Sequence, residues 1–207
     1  MKINKEVMKL YAVTDRSWLE PGEELTDPVG ELLEAGVTCV QLREKDAADE
    51  LFLWEATALK ELCSRYHVPL IINDRPDIAL KVRADGVHVG LSDMGIEKAR
   101  QMLGEGYIIG GSAHNVAEAL AAQAAGADYI GCGAVFGSRT KQDATTLPLE
   151  ELKAICRAVD IPVVAIGGIH TGNFRLLSGT GISGIAVISA LFGAKDKAEA
   201  ARTLLGL

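Results

Sequence analysis

The chain has 207 residues, a formal net charge of −7 and 48% hydrophobic residues. This balance is typical of a globular protein and argues against a disordered chain. It also argues against a nucleic-acid-binding protein, because such a protein needs a clustered basic excess. The 22 glycines and the 5% aromatic content indicate many turns and close backbone approaches.

The N-terminus and the cysteines predict the compartment. The segment MKINKEVMKL has no uninterrupted apolar run, so we expect no secretory signal. The uncharged stretch from Gly181 to Ala194 is too short to cross a bilayer. The 4 cysteines are far apart and form no CxxC pair, which favours reduced, mostly buried thiols over disulfides or a metal site. We therefore expect a cytoplasmic protein without a membrane partner.

Short β-branched runs alternate with longer helical patterns along the chain. Most runs are continuously apolar, as in parallel strands covered on both faces. Eight such units of about 26 residues predict a single (β/α)8 TIM barrel over residues 1–207, in the α/β class. An open doubly wound sheet is the alternative, but no GxGxxG motif follows the first run. The predicted strands are Lys9–Thr14, Val37–Leu42, Pro69–Ile72, Gly86–Val89, Tyr107–Gly110, Tyr129–Gly133, Pro162–Ile166 and Gly184–Ile188.

The stretches between these runs predict helices. Asn115 followed by Glu118 has the residue types of a capping box. The two shortest helical patterns are Pro76–Val82 and Thr171–Gly179. The longer predicted helices are Asp49–Tyr66, Met94–Leu103, Asn115–Ala125, Leu149–Val159 and Lys195–Leu205.

In a TIM barrel the position of a residue within its unit separates functional from structural roles. Catalytic groups lie at the C-terminal ends of the strands, while the other end supports stability. Asp85 and Asp128 precede their strands, so we interpret them as structural. The residues that follow predicted strands, and so are candidates for the site, are Gln41, Arg43, Lys45, Asn73, Asp74, Asp93, Ser112, His114, Ser138, Thr140, Lys141, Gly167, Gly168, Ile188 and Ser189.

Two of these candidates are carboxylates on neighbouring loops. Adjacent strands lie about 4.8 Å apart, so Asp74 and Asp93 can reach one cation. Two carboxylates suit Mg²⁺, which shares phosphate oxygens with a substrate. Each aspartate could instead cap the helix that follows it, and spacing alone favours caps. The cations Arg43, Lys45 and Lys141 favour a magnesium–diphosphate clamp.

The last two units carry a candidate phosphate site. Gly167 and Gly168 end the seventh strand, and glycine lets backbone N–H groups approach an anion. Ser189 follows the eighth strand where a helix could start, which also favours an anion. A glycine pair is more often only a turn, so the prediction depends on both loops together.

The histidines suggest no covalent nucleophile, because no Ser/His/Asp or Cys/His ordering is present. His88 lies inside the fourth predicted strand and is expected to be a hydrogen-bonded interior residue. His114 could act as a base or could support Ser112. His67 and His170 lie in connections and are expected at the surface.

Several short motifs follow one another in a specific order and spacing. They are Tyr11–Asp15 (YAVTD), Gln41–Lys45 (QLREK), Ile72–Asp74 (IND) running on to Asp77–Ala79 (DIA), Ala84–Gly90 (ADGVHVG) with Asp93, Gly111–Ser112, Thr140–Ala144 (TKQDA), Ala165–Ile169 (AIGGI) and Ala186–Ser189 (AVIS). Each motif alone is weak. In this order they resemble the thiamine-phosphate synthase family along nearly the whole chain.

The resemblance implies a transferase that joins 4-amino-2-methyl-5-(diphosphooxymethyl)pyrimidine to a thiazole phosphate and releases pyrophosphate by a dissociative substitution. It implies Mg²⁺ as the cofactor, held by Asp74 and Asp93. The residues implied for the pyrimidine diphosphate are Gln41, Arg43, Lys45, Asn73, Ser112 and Lys141, of which Arg43, Lys45, Ser112 and Lys141 are the implied catalytic residues. Those implied for the thiazole phosphate are Ser138, Thr140, Gly168, Ile188 and Ser189.

Other interpretations stay open at this point. The alternatives are a thiazole tautomerase-like paralogue, a catalytically silent regulator that binds thiazole phosphate, and an unrelated phosphate-binding isomerase barrel. The complete set of cations and carboxylates favours the synthase. The chain departs from the family pattern at Leu91, where glutamine is usual, and at Ala134 and Ser138. We expect small-molecule substrates and no nucleic acid, and a homo-oligomer stays open.

Overall fold

Eight parallel strands close into a barrel in a computed structural model that describes residues 3–45, 47–90, 95–137 and 146–207. Each strand pairs with the next in sequence, and β8 pairs with β1 to close the sheet. The predicted TIM barrel is therefore confirmed. The strands are β1 Leu10–Val13, β2 Cys39–Leu42, β3 Leu70–Asn73, β4 Gly86–Val89, β5 Ile108–Ala113, β6 Tyr129–Gly133, β7 Val163–Ile166 and β8 Gly184–Val187.

Helices connect the strands on the outside of the barrel. The α-helices of the described residues are α1 Thr26–Glu34, α2 Asp49–Arg65, α3 Pro76–Val82, α4 Ile96–Leu103, α5 Val116–Ala124, α6 Leu149–Ala158, α7 Ser189–Phe192 and α8 Lys197–Leu204. The helix predicted over 171–179 is wrong in type and length, because this segment holds only a 3-10 helix, Phe174–Leu177. The side chain of Asn173 donates to the carbonyl of Gly168 and holds the preceding residues as a loop.

Alternate residues of each strand face two different apolar layers, as strand geometry requires. In β1, Leu10 and Ala12 pack in the layer between the sheet and the helices. Tyr11 and Val13 face the barrel interior. The interior is filled with side chains: a Cβ on Gly110 would lie 2.4 Å from the hydroxyl oxygen of Tyr129, so only glycine leaves room for that ring.

The two aspartates that precede strands are structural, as predicted. Asp85 accepts hydrogen bonds from the backbone N–H of Leu70 at 2.9 Å and from Lys60 Nζ at 2.7 Å. Asp128 accepts from the backbone N–H of Ile109 at 2.8 Å. Each carboxylate therefore binds the first residues of a neighbouring strand at the N-terminal end of the barrel.

The cysteines are mostly buried, as predicted. All 4 cysteines are free; Cys39, Cys63 and Cys132 are buried and Cys156 is half-buried. Burial raises the pKa of the Cys63 and Cys132 thiols to about 12, so both stay protonated at neutral pH. Within the described ranges, the helices are all too short or too polar to cross a membrane.

Candidate active site at the C-terminal end of the barrel

Asn73 ends β3, and Asp74 follows it in a conformation fixed by hydrogen bonds. Asp74 has φ +59°, a left-handed conformation that few non-glycine residues adopt. Its backbone N–H donates to the carbonyl of His88 at 2.8 Å, and its carboxylate accepts from Asn73 Nδ2 at 2.6 Å and from the Gly90 N–H at 3.3 Å. The N-cap residue of α3 is Arg75, without a side-chain cap bond. Asp74 therefore does not cap that helix, and the alternative based on spacing is wrong for this residue.

The chemistry of Asp74 fits a magnesium ligand. A carboxylate oriented by two donors at a strand end offers the hard oxygen atoms that Mg²⁺ prefers. Its predicted partner Asp93 lies outside the described residues, as do Ser138, Thr140 and Lys141. The described part of the chain contains no group of three or more His, Cys, Asp or Glu side chains with metal-binding geometry.

The loop after β2 carries two of the predicted cations. Arg43 is half-buried and Lys45 is exposed. The fully buried Thr14 fixes the start of this loop: its hydroxyl accepts from the Arg43 N–H at 3.0 Å, and its own N–H donates to the carbonyl of Gln41 at 2.9 Å. The loop that carries the two cations is therefore hydrogen-bonded at its start to the residue that follows β1.

Glu44, between these cations, is a residue that the sequence analysis missed. Its side chain is 3% exposed, and its Oε2 lies 3.4 Å from Arg16 Nε. Arg16 also pairs with Glu55, which is 2% exposed. Burial and the charge of Glu55 raise the pKa of Glu44 to about 7, against the opposing effect of Arg16. One arginine thus serves two buried carboxylates directly behind the cationic loop.

Ser112 lies inside β5 and not after it, because β5 extends three residues beyond its predicted end at Gly110. Its hydroxyl oxygen lies 3.1 Å from His88 Nε2. His114 is instead exposed, and its Nδ1 lies 3.1 Å from a carboxylate oxygen of Glu118. The histidine that supports Ser112 is therefore His88, an interior hydrogen-bonded residue as predicted.

Tyr11 and Tyr129 extend these contacts across the barrel interior. Their hydroxyl oxygens lie 2.8 Å apart, and the hydroxyl of Tyr129 lies 3.0 Å from His88 Nδ1. Gln41 Nε2 donates to the hydroxyl of Tyr11 at 2.7 Å. Sequence reasoning missed both tyrosines, although glycine at position 110 was a signal that a large neighbour fills the interior.

The residues predicted to bind an anion after β7 and β8 lie in two neighbouring loops. β7 and β8 are adjacent, so Gly168 and Ser189 follow neighbouring strands. Gly168 is exposed with φ +65°, and a Cβ there would lie 2.6 Å from the carbonyl oxygen of Phe136. Ile188 immediately precedes α7, which begins at the exposed Ser189. The region therefore presents a glycine-formed turn beside a helix start.

A cavity of about 500 Å³ lies at the opposite end of the barrel. Lys5, Arg100, Glu105 and Asp128 are among the residues that line it. Arg100 is paired with Asp128 at 2.6 Å. Because functional sites of TIM barrels lie at the C-terminal strand ends, we assign this cavity to the structural face.

The closed barrel and the polar groups at its C-terminal end place the chain among the (β/α)8 enzymes. Within it, residues 10–191 match the family model described as thiamine monophosphate synthase. Over 203 residues the chain is 50% identical to the thiamine-phosphate synthase of Methanobrevibacter smithii, covering 98% of this chain and 96% of that protein. It is 48% identical to that of Clostridium acetobutylicum, covering 96% and 94%. The chain belongs to the thiamine-phosphate synthase family.

Solved structures agree with this assignment. The thiamine phosphate pyrophosphorylase of Pyrococcus furiosus has 42% sequence identity and a TM-score of 0.89, with 97% of this chain and 95% of that chain covered. A 3-hexulose-6-phosphate synthase, at 18% identity and a TM-score of 0.67 over 96% of this chain and 99% of that one, shares the fold alone. The resemblance found in the sequence motifs is thus confirmed.

Proposed function

We propose that this chain condenses 4-amino-2-methyl-5-(diphosphooxymethyl)pyrimidine with a thiazole phosphate to give thiamine phosphate and pyrophosphate. One observation carries the proposal: the cationic loop with Arg43 and Lys45 follows β2, and the oriented Asn73–Asp74 pair lies at the C-terminal end of the adjacent β3. Positive side chains and a carboxylate therefore lie at the ends of neighbouring strands. This arrangement suits the binding of a diphosphate. Family membership supports the same reaction.

The cations would act on the leaving group. Pyrophosphate gains negative charge as it departs, so Arg43, Lys45 and Lys141 would stabilise the transition state more than the ground state. Asp74 and Asp93 would hold Mg²⁺, which when bound neutralises charge on the diphosphate. None of these residues has to donate or accept a proton in this step.

The reaction would be a dissociative substitution. The C–O bond breaks first, and its electron pair leaves with the pyrophosphate. The pyrimidine ring stabilises the resulting cation, and the lone pair of the thiazole nitrogen then forms the new C–N bond. The thiazole nitrogen needs no general base, which agrees with the absence of a Ser/His/Asp ordering in the sequence.

The remaining predicted residues would bind the two substrates. Gln41, Asn73 and Ser112 would hold the pyrimidine diphosphate, together with the cations. The loops after β7 and β8 would hold the phosphate of the thiazole, as in many barrels of this class. The residues proposed for the thiazole phosphate are Ser138, Thr140, Gly168, Ile188 and Ser189.

The test supplies the purified chain with both substrates and Mg²⁺ and measures thiamine phosphate and pyrophosphate. We expect both products in equal amounts, and none after chelation of the metal. A tautomerase assay in parallel separates the tautomerase-like alternative. A folded protein that forms no thiamine phosphate under these conditions overturns the proposal. As a matched pair of variants, Asp93→Asn is expected to lose far more kcat than His67→Ala.

A further inference from the structure

Five side chains from five strands form one continuous line of hydrogen bonds through the barrel. Gln41 Nε2 donates to the Tyr11 hydroxyl at 2.7 Å, and the hydroxyls of Tyr11 and Tyr129 lie 2.8 Å apart. The Tyr129 hydroxyl lies 3.0 Å from His88 Nδ1, and His88 Nε2 lies 3.1 Å from Ser112 Oγ. We call these five side chains the interior network. Its two ends, Gln41 and Ser112, are both residues proposed to bind the pyrimidine substrate.

The chemistry of each link fixes the direction of the next. A tyrosine hydroxyl has one proton, and a neutral imidazole has one N–H and one acceptor nitrogen. With Gln41 as donor, the Tyr11 hydroxyl donates a hydrogen bond to the Tyr129 hydroxyl, and the Tyr129 hydroxyl donates one to His88 Nδ1. The imidazole then carries its proton on Nε2 and donates to Ser112 Oγ. The Ser112 hydroxyl proton is left to point away from the network.

Burial stabilises this order of donors and acceptors. Tyr11 and Tyr129 are 1% and 0% exposed, so a reversed or missing link would leave a polar atom unpaired in the barrel interior. Desolvation raises the pKa of both hydroxyls well above the usual tyrosine range, so each keeps its single proton. The Cys39 thiol also lies beside Tyr11, but sulfur is a weak acceptor.

We propose that the interior network gives its two ends opposite hydrogen-bonding character and thereby selects the 4-aminopyrimidine edge of the substrate. The Gln41 amide oxygen is then an acceptor, and the Ser112 hydroxyl is a donor. A 4-aminopyrimidine offers the complementary pair, an amine donor and a ring-nitrogen acceptor. Rotating the Gln41 amide by 180° reverses the direction of every hydrogen bond in the network. It also exchanges the donor and acceptor character of the two ends. Tyr11, Tyr129 and His88 are positioning residues, and this inference depends on the proposed function.

The first test measures the tautomer of His88 by ¹⁵N NMR of the neutral imidazole, and it needs no turnover. The network predicts the Nε2–H form in the full-length protein. Tyr11→Phe removes the link that orients Tyr129, so we expect a mixture of tautomers at His88, two links away in the interior network. Ile71→Val, in the same interior layer, is the control and should keep the single tautomer. An Nδ1–H imidazole in the wild type, or an unchanged tautomer in Tyr11→Phe, overturns the proposal.

The second test measures discrimination between pyrimidine diphosphates with a 4-amino and a 4-oxo group, since the oxo form inverts donor and acceptor on that edge. In Tyr11→Phe and Tyr129→Phe, the ratio of the two kcat/KM values should fall about tenfold or more, because a misdirected hydrogen bond leaves a buried polar atom unpaired. The KM for the thiazole phosphate should not change. An unchanged ratio in both folded variants overturns the network, whereas a wild type without activity overturns the proposed function and leaves the NMR test valid.

Discussion

The side-chain amide of Asn73 donates a hydrogen bond to the carboxylate of Asp74 at 2.6 Å, at the C-terminal end of β3. Together with the Gly90 N–H, this donor orients a carboxylate whose own backbone is held at φ +59°. Left-handed backbone costs a non-glycine residue free energy, so the surrounding bonds must compensate for it. We interpret this arrangement as a carboxylate held in position for a ligand.

Asp74→Asn should remove activity with little loss of fold. Asparagine adopts the left-handed conformation readily, so the backbone is preserved while the negative charge is lost. We expect kcat to fall about 100-fold or more, in the range typical of a lost electrostatic contact at a reacting centre. The Mg²⁺ concentration for half-maximal rate should rise as well. Steady-state kinetics across a magnesium titration measure both effects.

The matched control is Asp77→Asn, three residues further along the chain. Asp77 pairs with Arg75 at 2.8 Å at the start of α3 and is not a proposed ligand. Losing one partly exposed ion pair should leave kcat within about twofold. Equal magnesium dependence in Asp74→Asn and Asp77→Asn would contradict the assignment of Asp74.

Asp128→Asn should lower stability and leave activity unchanged, because Asp128 lies at the other end of the barrel. Its Oδ2 accepts from the Ile109 N–H at 2.8 Å and pairs with Arg100 at 2.6 Å, with both side chains largely buried. Removing the charge leaves Arg100 poorly compensated and should cost about 1–3 kcal/mol in the free energy of unfolding. Urea denaturation measures this loss, and kcat at saturating substrate should match the wild type. A variant with wild-type stability would contradict the structural role.

The barrel could be predicted from the sequence because parallel strands buried on both faces appear as short apolar runs. The predicted bounds Gly86–Val89 and Tyr129–Gly133 are those of β4 and β6. β5 was predicted too short, because its last three residues, Gly111, Ser112 and Ala113, are small and lack the β-branched side chains typical of strands. The error moved Ser112 from a strand into a loop.

Only part of the candidate site could be predicted from the sequence. Asp74 and the residues after β2 follow from the rule that function lies at C-terminal strand ends. The contact between Tyr11 and Tyr129 joins residues 118 positions apart. Periodicity assigns each tyrosine to a face of the sheet, but it does not say which residues meet inside a closed barrel. Glu44 was missed for a similar reason, because Arg16, which pairs with both Glu44 and Glu55, comes from the preceding unit.

Gly168→Ala should raise the KM for the thiazole phosphate. A Cβ at this position would lie 2.6 Å from the carbonyl oxygen of Phe136, so the loop after β7 must move. We expect an increase in KM of about tenfold or more, on the scale of one lost charge-assisted hydrogen bond to a phosphate. Initial rates at varied thiazole phosphate measure it, and the KM for the pyrimidine diphosphate should change less.

Gly179→Ala is the matched control for backbone strain. Gly179 also has a positive φ, +76°, but a Cβ there would meet no atom within 4 Å. It should cost about 1 kcal/mol of stability from strain alone and leave both KM values unchanged. The same rise in KM in both glycine variants would contradict a phosphate role for the loop after β7.

Glu44 should make the protein less stable as the pH rises from 5 to 8. Burial and the neighbouring charge of Glu55 raise its pKa from 4.5 to about 7 in the folded protein. The folded state thus binds a proton that the unfolded chain has already released. The stability from this proton is fully present below the unfolded pKa and is lost as the pH rises through about 7. A shift of this size corresponds to at most about 3.5 kcal/mol, since one pKa unit is worth about 1.4 kcal/mol.

Glu44→Gln tests this contribution, because glutamine has the shape of the protonated acid and does not titrate. The free energy of unfolding, measured by urea denaturation at several pH values, should fall less steeply in Glu44→Gln than in the wild type. The difference in the free energy of unfolding between the variant and the wild type should grow between pH 5 and pH 8, with the variant the more stable at pH 8. Glu150→Gln is the control, since Glu150 is an exposed helix residue whose pKa is lowered by its hydrogen bond to Lys153. It should keep the wild-type slope in this range, and a Glu44→Gln slope equal to that of the control would show that Glu44 is already ionised at pH 5.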